Sequence, residues 1–340
     1  MKGRLHYIDV TKGLLIILVV FHHVINVANG LGFASESLLK WQSTYILYNC
    51  FFMQCFFVLT GMVSNFDKPF CPYLNSNVKC LLCPFVFFCV FEAIFRSFYY
   101  GWDALYFNQG GVHVIFLLEG FWFLSALFIA KILYYFIRFI TASSIVRFLL
   151  CMVPLFISVT LDNLLGSDYY NWFHYRNAMV MVPFLCLGEF MKNFFTKENK
   201  KYIFPISAVY LLTIVSFKLF GWPELTPYTH LAFFDFTWTD IPRYLIIATT
   251  GSVFMISIGW IIGQNKILEK FGKLSLLIYG FHSSLLMMIE TLFAKIWVPQ
   301  TMASSLVWYI IIAIVALVLS TLIGHYFIKS KLRILVGKPL

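Results

Sequence analysis

Of the ionisable side chains inside the long apolar runs of this sequence, five draw attention: His22, His23, Glu92, Glu119 and His282. A charge at the centre of a bilayer costs about 3 kcal/mol or more unless it is paired or faces water, so each is a candidate for chemistry. An imidazole is the side chain best matched to proton transfer near neutral pH, and a carboxylate can orient it or share its proton. The plainer alternatives stand beside these. A histidine within a membrane often serves as an interhelical hydrogen-bond partner, which would suffice for His23 or His282. Glu119 could pair with a structural base, and Lys12 and Lys79 could act only as topology anchors.

The first run, Asp9-Val10-Thr11-Lys12-Gly13 through His22-His23, has the spacing of a single helix face. Lys12 and His23 are eleven residues apart, which leaves them about 20° apart around a helix and about 16 Å apart along it. Asp9 falls about 40° to the other side of His23 and about 21 Å from it. It is therefore too far to orient the imidazole and better suited to Lys12 or Arg4. His22 fits the stripe less well, at about 80° from Lys12. Nine residues separate His282 from Lys273, placing the ring about 13 Å deep if that helix enters from the cytoplasm. Twelve residues separate Glu119 from Lys131, placing the carboxyl about 18 Å deep. His23, His282 and Glu119 could thus meet near the midplane, with Trp122 as a wall.

The elements that must carry these groups are helices in lipid. The chain has 340 residues, 61% of them hydrophobic and 12% charged, against about 25% charged in soluble domains. A single core of this length could not hide that much apolar surface from water. Ten apolar runs are long enough to span, at 13–31, 43–64, 80–99, 112–137, 145–164, 177–195, 202–220, 243–263, 273–293 and 304–328. The expected fold is an all-α polytopic bundle of about ten spans, forming one domain over residues 1–340. With the N-terminus inside, 19 of the 25 basic residues fall on the cytoplasmic side and 6 outside, which puts both termini in the cytoplasm. The net charge of +10 does not indicate nucleic acid, because the basic residues cap apolar runs rather than form a patch. Asp9, Lys12 and the two histidines argue against a cleavable leader. Of eight cysteines only Cys80 and Cys83 have metal-like spacing. With no second pair nearby they read as small buried hydrophobes, and no metal is expected.

In this order the motifs resemble the acyltransferase-3 family of membrane acyltransferases, whose members acylate sugars of cell-surface glycans. The family's opening, an Asp, a basic residue with Gly, and a His eleven positions after the base, is matched by Asp9, Lys12-Gly13 and His23. Its Phe-His-Met-Pro-Leu-Phe-Phe run ending in Leu-Ser-Gly is matched by Phe51-Phe52-Met53-Gln54-Cys55-Phe56-Phe57 and Leu59-Thr60-Gly61. Lys79 ahead of Leu81-Leu82-Cys83-Pro84, then Trp122-Phe123-Leu124, then Tyr279-Gly280-Phe281-His282 follow in family order. Three departures are visible. Lys12 stands where many relatives have Arg, Phe52 and Gln54 replace the His and Pro of the second motif, and a paired-arginine element is reduced to Lys79.

The resemblance implies O-acyl transfer, with acetyl as the default group, from acyl-CoA to a hydroxyl of a cell-surface or lipid-linked carbohydrate. His23 would be the general base, with His282 or Glu119 orienting it or stabilising the oxyanion. Lys12 and Lys79 would hold donor phosphates as point charges, with Asp9 and Trp122 beside them on the donor side. Acyl-CoA would be a co-substrate and no cofactor would be bound permanently. A multi-pass protein of the bacterial inner membrane is expected, in contact with lipid, with oligomeric state open and a homo-oligomer among the options. The rival reading is a transporter or flippase for a glycan or lipid, which midplane polar residues also suit. The sequence shows neither the inverted repeat nor the matched broken helices of that class.

Overall fold

A computed structural model describes residues 5–30, 51–100, 121–165, 172–196, 198–220, 238–299 and 301–336. Among these residues the regular structure is helical, with no strand. The elements are α1 (His6–Gly30), α2 (Phe52–Val63), α3 (Phe70–Asn77), a π-helical turn (Val78–Leu82), α4 (Cys83–Tyr100), α5 (Trp122–Ile140), α6 (Ser144–Leu165), α7 (Tyr175–Phe190), α8 (Lys200–Phe220), α9 (Asp240–Ile262), α10 (Lys266–Lys273), α11 (Ser275–Ala294) and α12 (Met302–Lys329).

Each of the ten apolar runs contains a helix. Seven helices among the described residues are long and apolar enough to cross a membrane: His6–Ile25, Phe70–Phe98, Trp122–Ile140, Ser144–Leu161, Asp240–Ile262, Ser275–Ala294 and Ala303–Lys329. Phe52–Val63 and Lys201–Ser216 are apolar but shorter, and α7 has 16 residues. The third span begins well before residue 80. Asn75 and Asn77 belong to α3, and the π turn at Val78–Leu82 continues that helix into α4. Cys80 and Cys83, expected to be buried, are exposed: they sit on the outer side of that turn and of the helix start after it.

The chain forms two compact units, Met1–Phe52 with Met255–Lys331, and Met53–Phe254 with Leu332–Leu340. In the first, α1 packs on α10, α11 and α12, and α11 packs on α12. Its core includes Leu15, Ile16, Val19, Val20, Ile278 and Ile312. Val307, Ile310, Ile311, Ile314 and Val318 of α12 are exposed. Such a stripe is tolerable in hydrocarbon and would be an aggregation surface in water. The α1–α10 contact is close because of two glycines. A Cβ on Gly13 would strike the Leu268 carbonyl, and one on Gly272 would strike the Asp9 carbonyl.

In the second unit α7 is the central helix, packed on α5 and α6. Ala178, Val180, Met181, Phe184, Leu185 and Cys186 are all buried, so apolar residues surround it rather than line one face. A second glycine pair lies here. A Cβ on Gly61 would strike the Leu185 carbonyl, and one on Gly188 the Val58 carbonyl. Small residues that let helix backbones approach are the usual means of tight packing in lipid, where apolar side chains gain little by leaving the solvent.

Candidate active site

Helix α1 runs unbroken from His6 to Gly30 and therefore keeps Asp9, Lys12 and His23 on the stripe their spacing requires. The helix register also fixes the separation of Asp9 and His23 at about 21 Å. Arg4, the other base considered for Asp9, lies outside the described residues, as does Glu119.

His23 and His282 come together in the first unit. Their rings meet edge to face with centroids 4.7 Å apart. His22 adds a third imidazole, 5.3 Å from His23, and itself lies 5.9 Å from the ring of Phe52. Hydrogen bonds fix the tautomers. Nδ1 of His23 is 2.8 Å from the Val19 carbonyl of the preceding turn. Nδ1 of His282 is 2.6 Å from the Tyr279 carbonyl. A carbonyl oxygen only accepts, so each Nδ1 carries a proton, and in the neutral form of either ring Nε2 is the accepting nitrogen. The two rings differ in access: His282 is buried at 2% exposure, whereas His23 is half-buried. His23 is thus the imidazole that a reacting group can reach. His282, its Nε2 without a hydrogen-bond partner among the described residues, backs it through ring contact. Tyr279, whose ring lies 5.8 Å from that of His282, completes this wall.

Several other ionisable groups are held in ion pairs. Glu92 is engaged by Arg96 one turn on, at 2.6 Å. At the end of α1 that carries Asp9, Glu269 of α10 accepts from Lys273 at 3.0 Å and lies 2.9 Å from His6 Nδ1. The Lys273 ammonium, then the His6 ring, holds the Glu269 carboxyl below its ordinary range. Sequence reasoning passed over Glu290. It is fully buried on α11, eight residues beyond His282, and neither carboxyl oxygen has a partner among the described residues. In the sequence it stands near the end of an apolar run, where an acid resembles a boundary marker.

The second unit holds Lys79 and Trp122. Lys79 is exposed on the π turn, and Trp122 is the buried first residue of α5. Arg138 joins Asp67 (2.6 Å) to Glu189 (2.9 Å), and Arg147 reaches Glu189 at 3.1 Å. Tyr134 donates to the same carboxylate.

The sequence model of the acyltransferase-3 family, described as an acyltransferase domain, matches residues 5–325. The chain belongs to the acyltransferase-3 family. No curated protein and no solved structure matches it. Membership gives meaning to two departures in the second family motif. Gln54, where the family has Pro, is fully buried and donates from Nε2 to the Tyr244 hydroxyl at 3.0 Å, tying α2 to α9. Phe52, where the family has His, sets an apolar ring beside His22. The imidazoles of this family member are therefore contributed by α1 and α11 alone among the described residues that line this cluster.

Proposed function

We propose that this membrane acyltransferase moves an acetyl group from acetyl-CoA to a hydroxyl of a cell-surface or lipid-linked carbohydrate, with His23 as general base. The observation that carries the reading is the His23 tautomer. Its own helix holds Nδ1–H, so Nε2 is free of that proton and can accept another. The acceptor hydroxyl gives its proton to Nε2 as its oxygen attacks the thioester carbonyl. The carbon–sulfur bond then breaks, and the CoA thiolate leaves with the proton from the imidazolium. Such a base supplies about 10²–10⁴-fold. His282 keeps the ring in place by edge-to-face packing, and Glu119 is the carboxyl proposed to stabilise developing charge. Lys12 and Lys79 act as point charges for donor phosphates, with Asp9 setting the charge near Lys12 and Trp122 walling the acyl chain. The proposed topology has ten spans with both termini cytoplasmic, in a bacterial inner membrane, so that CoA stays on the side where it is made.

The test is transfer of radiolabelled acetyl from acetyl-CoA to membrane glycan, wild type against His23→Ala, at matched protein levels. Transfer by the wild type that collapses in the variant supports both class and base. Transfer that persists in His23→Ala removes His23 from the mechanism. No transfer from acetyl-CoA in the wild type, with any glycan supplied, overturns the donor.

A further inference from the structure

Lys131 looks like a cytoplasmic topology marker when α5 is read as the end of a run from residue 112. In the structure it occupies the midpoint of the Trp122–Ile140 helix, about 13 Å from either end. A lysine there needs an anion, water or an aromatic face.

Its direction is set by the helix. Of the residues three, four and seven away, Tyr134, Tyr135, Leu127 and Leu124 are buried and Phe128 and Arg138 half-buried. Phe136 and Ile140, on the other side, are exposed. Lys131 therefore lies on the inward stripe of α5 and is half-buried there, rather than reaching outward along lipid. Its ammonium stands over the Tyr73 ring, 5.6 Å from the centroid. Tyr73 is rigidly held. Its hydroxyl donates to the Lys131 carbonyl at 3.2 Å, its ring stacks on Tyr135 at 4.6 Å, and Asn77 donates to its carbonyl at 2.9 Å. The Tyr135 hydroxyl in turn donates to the Lys68 carbonyl at 2.9 Å. The π turn that carries Lys79 packs against α5.

The acids of this unit that form ion pairs are taken by arginines: Asp67 and Glu189 by Arg138 and Arg147, Glu92 by Arg96, and Asp240 by Arg243. Lys131 has no carboxylate partner among the described residues; the Tyr73 ring is its recorded contact. A π face compensates an ammonium only in part, worth about 0.5–2 kcal/mol. We propose that Lys131, positioned by Tyr73, binds a phosphate group of the acyl-CoA donor within this unit. The inference rests on the acyl-CoA reading above and adds a donor contact inside the helix span to those at its edge. A lysine suits this task because its point charge and three donors can follow a phosphate without a fixed approach direction.

The experiment compares two donors, acetyl-CoA and acetyl-pantetheine, which carries the same thioester but no phosphate. Wild type, Lys131→Met and Lys131→Arg are assayed in membranes at matched levels. For Lys131→Met the KM for acetyl-CoA is expected to rise about 10- to 100-fold, the range for a charge-assisted hydrogen bond, with kcat kept. Its kcat/KM for acetyl-pantetheine should equal that of the wild type, and Lys131→Arg should recover most of the acetyl-CoA loss. An unchanged KM in Lys131→Met, or an equal loss with both donors, overturns the phosphate contact while leaving the acyltransferase reading intact. A wild type that uses neither donor overturns the donor reading and this inference with it. Tyr73→Leu guards against a folding artefact: it keeps the lysine but removes its platform, and should raise the acetyl-CoA KM in the same donor-selective way.

Discussion

The two units differ in the polar groups they cluster. In the second, charge is retained and matched: Glu189 gathers Arg138, Arg147 and Tyr134, and Arg138 reaches on to Asp67. In the first, the helices around α1 gather imidazoles whose Nδ1 protons are tied to carbonyls of their own helices. A matched ion network resists any change in protonation, because removing one charge strands the others. An imidazole is the side chain whose proton exchange lies closest to neutral pH. The difference sets an ion network that fixes helix positions against the imidazoles to which the proposed function gives the proton transfer.

The comparison breaks most directly at His23. Replacing it with Ala should lower acetyl transfer about 10²–10⁴-fold, with the melting temperature in detergent kept within a few degrees. The reverse pattern belongs to Glu189. Glu189→Ala strands two arginines and should cost about 3 kcal/mol, read as early unfolding in a thermal melt, with activity lost only in proportion to folded protein. An activity loss without a stability loss at Glu189 would erase the distinction between the units.

The glycine contacts ask whether the units are equally tightly packed. Gly188→Ala in one and Gly272→Ala in the other each push a methyl into a facing carbonyl, at about 1–3 kcal/mol of overpacking. Comparable falls in melting temperature are expected. Only Gly272→Ala, on the helix against α1, should also shift transfer kinetics. The smallest effect concerns Glu269. Its carboxyl is held below the ordinary value of 4.5 by Lys273 and His6, so its ionised form favours the folded state. That contribution is complete above the ordinary value and disappears as pH falls through the lowered one. Melting curves of wild type and Glu269→Gln should therefore differ at neutral pH and converge in acid.

Much of the first unit was legible in the sequence. An eleven-position step from Lys12 to His23 dictates one helix face whatever surrounds it, and the pairing of His23 with His282 follows from positions counted along two helices. Lys131 is less legible, because its apolar run sets it near the end of a span whereas the described helix α5 centres on it. Glu290 was passed over for the same reason, since an acid near the end of a run looks like an edge. The arginine network could not be read, because Asp67, Arg138, Arg147 and Glu189 come from separate elements and only packing brings them together.

The π turn at Val78–Leu82 has a consequence for comparing relatives. A wider turn takes up one more residue than an α turn without breaking the rod, so side chains beyond it are out of phase by about 100° with a count started at Phe70. A relative lacking that bulge would need a one-residue gap there before Glu92 and Arg96 could be set against their true counterparts. An ungapped alignment would pair lipid-facing positions with interior ones along the whole of α4.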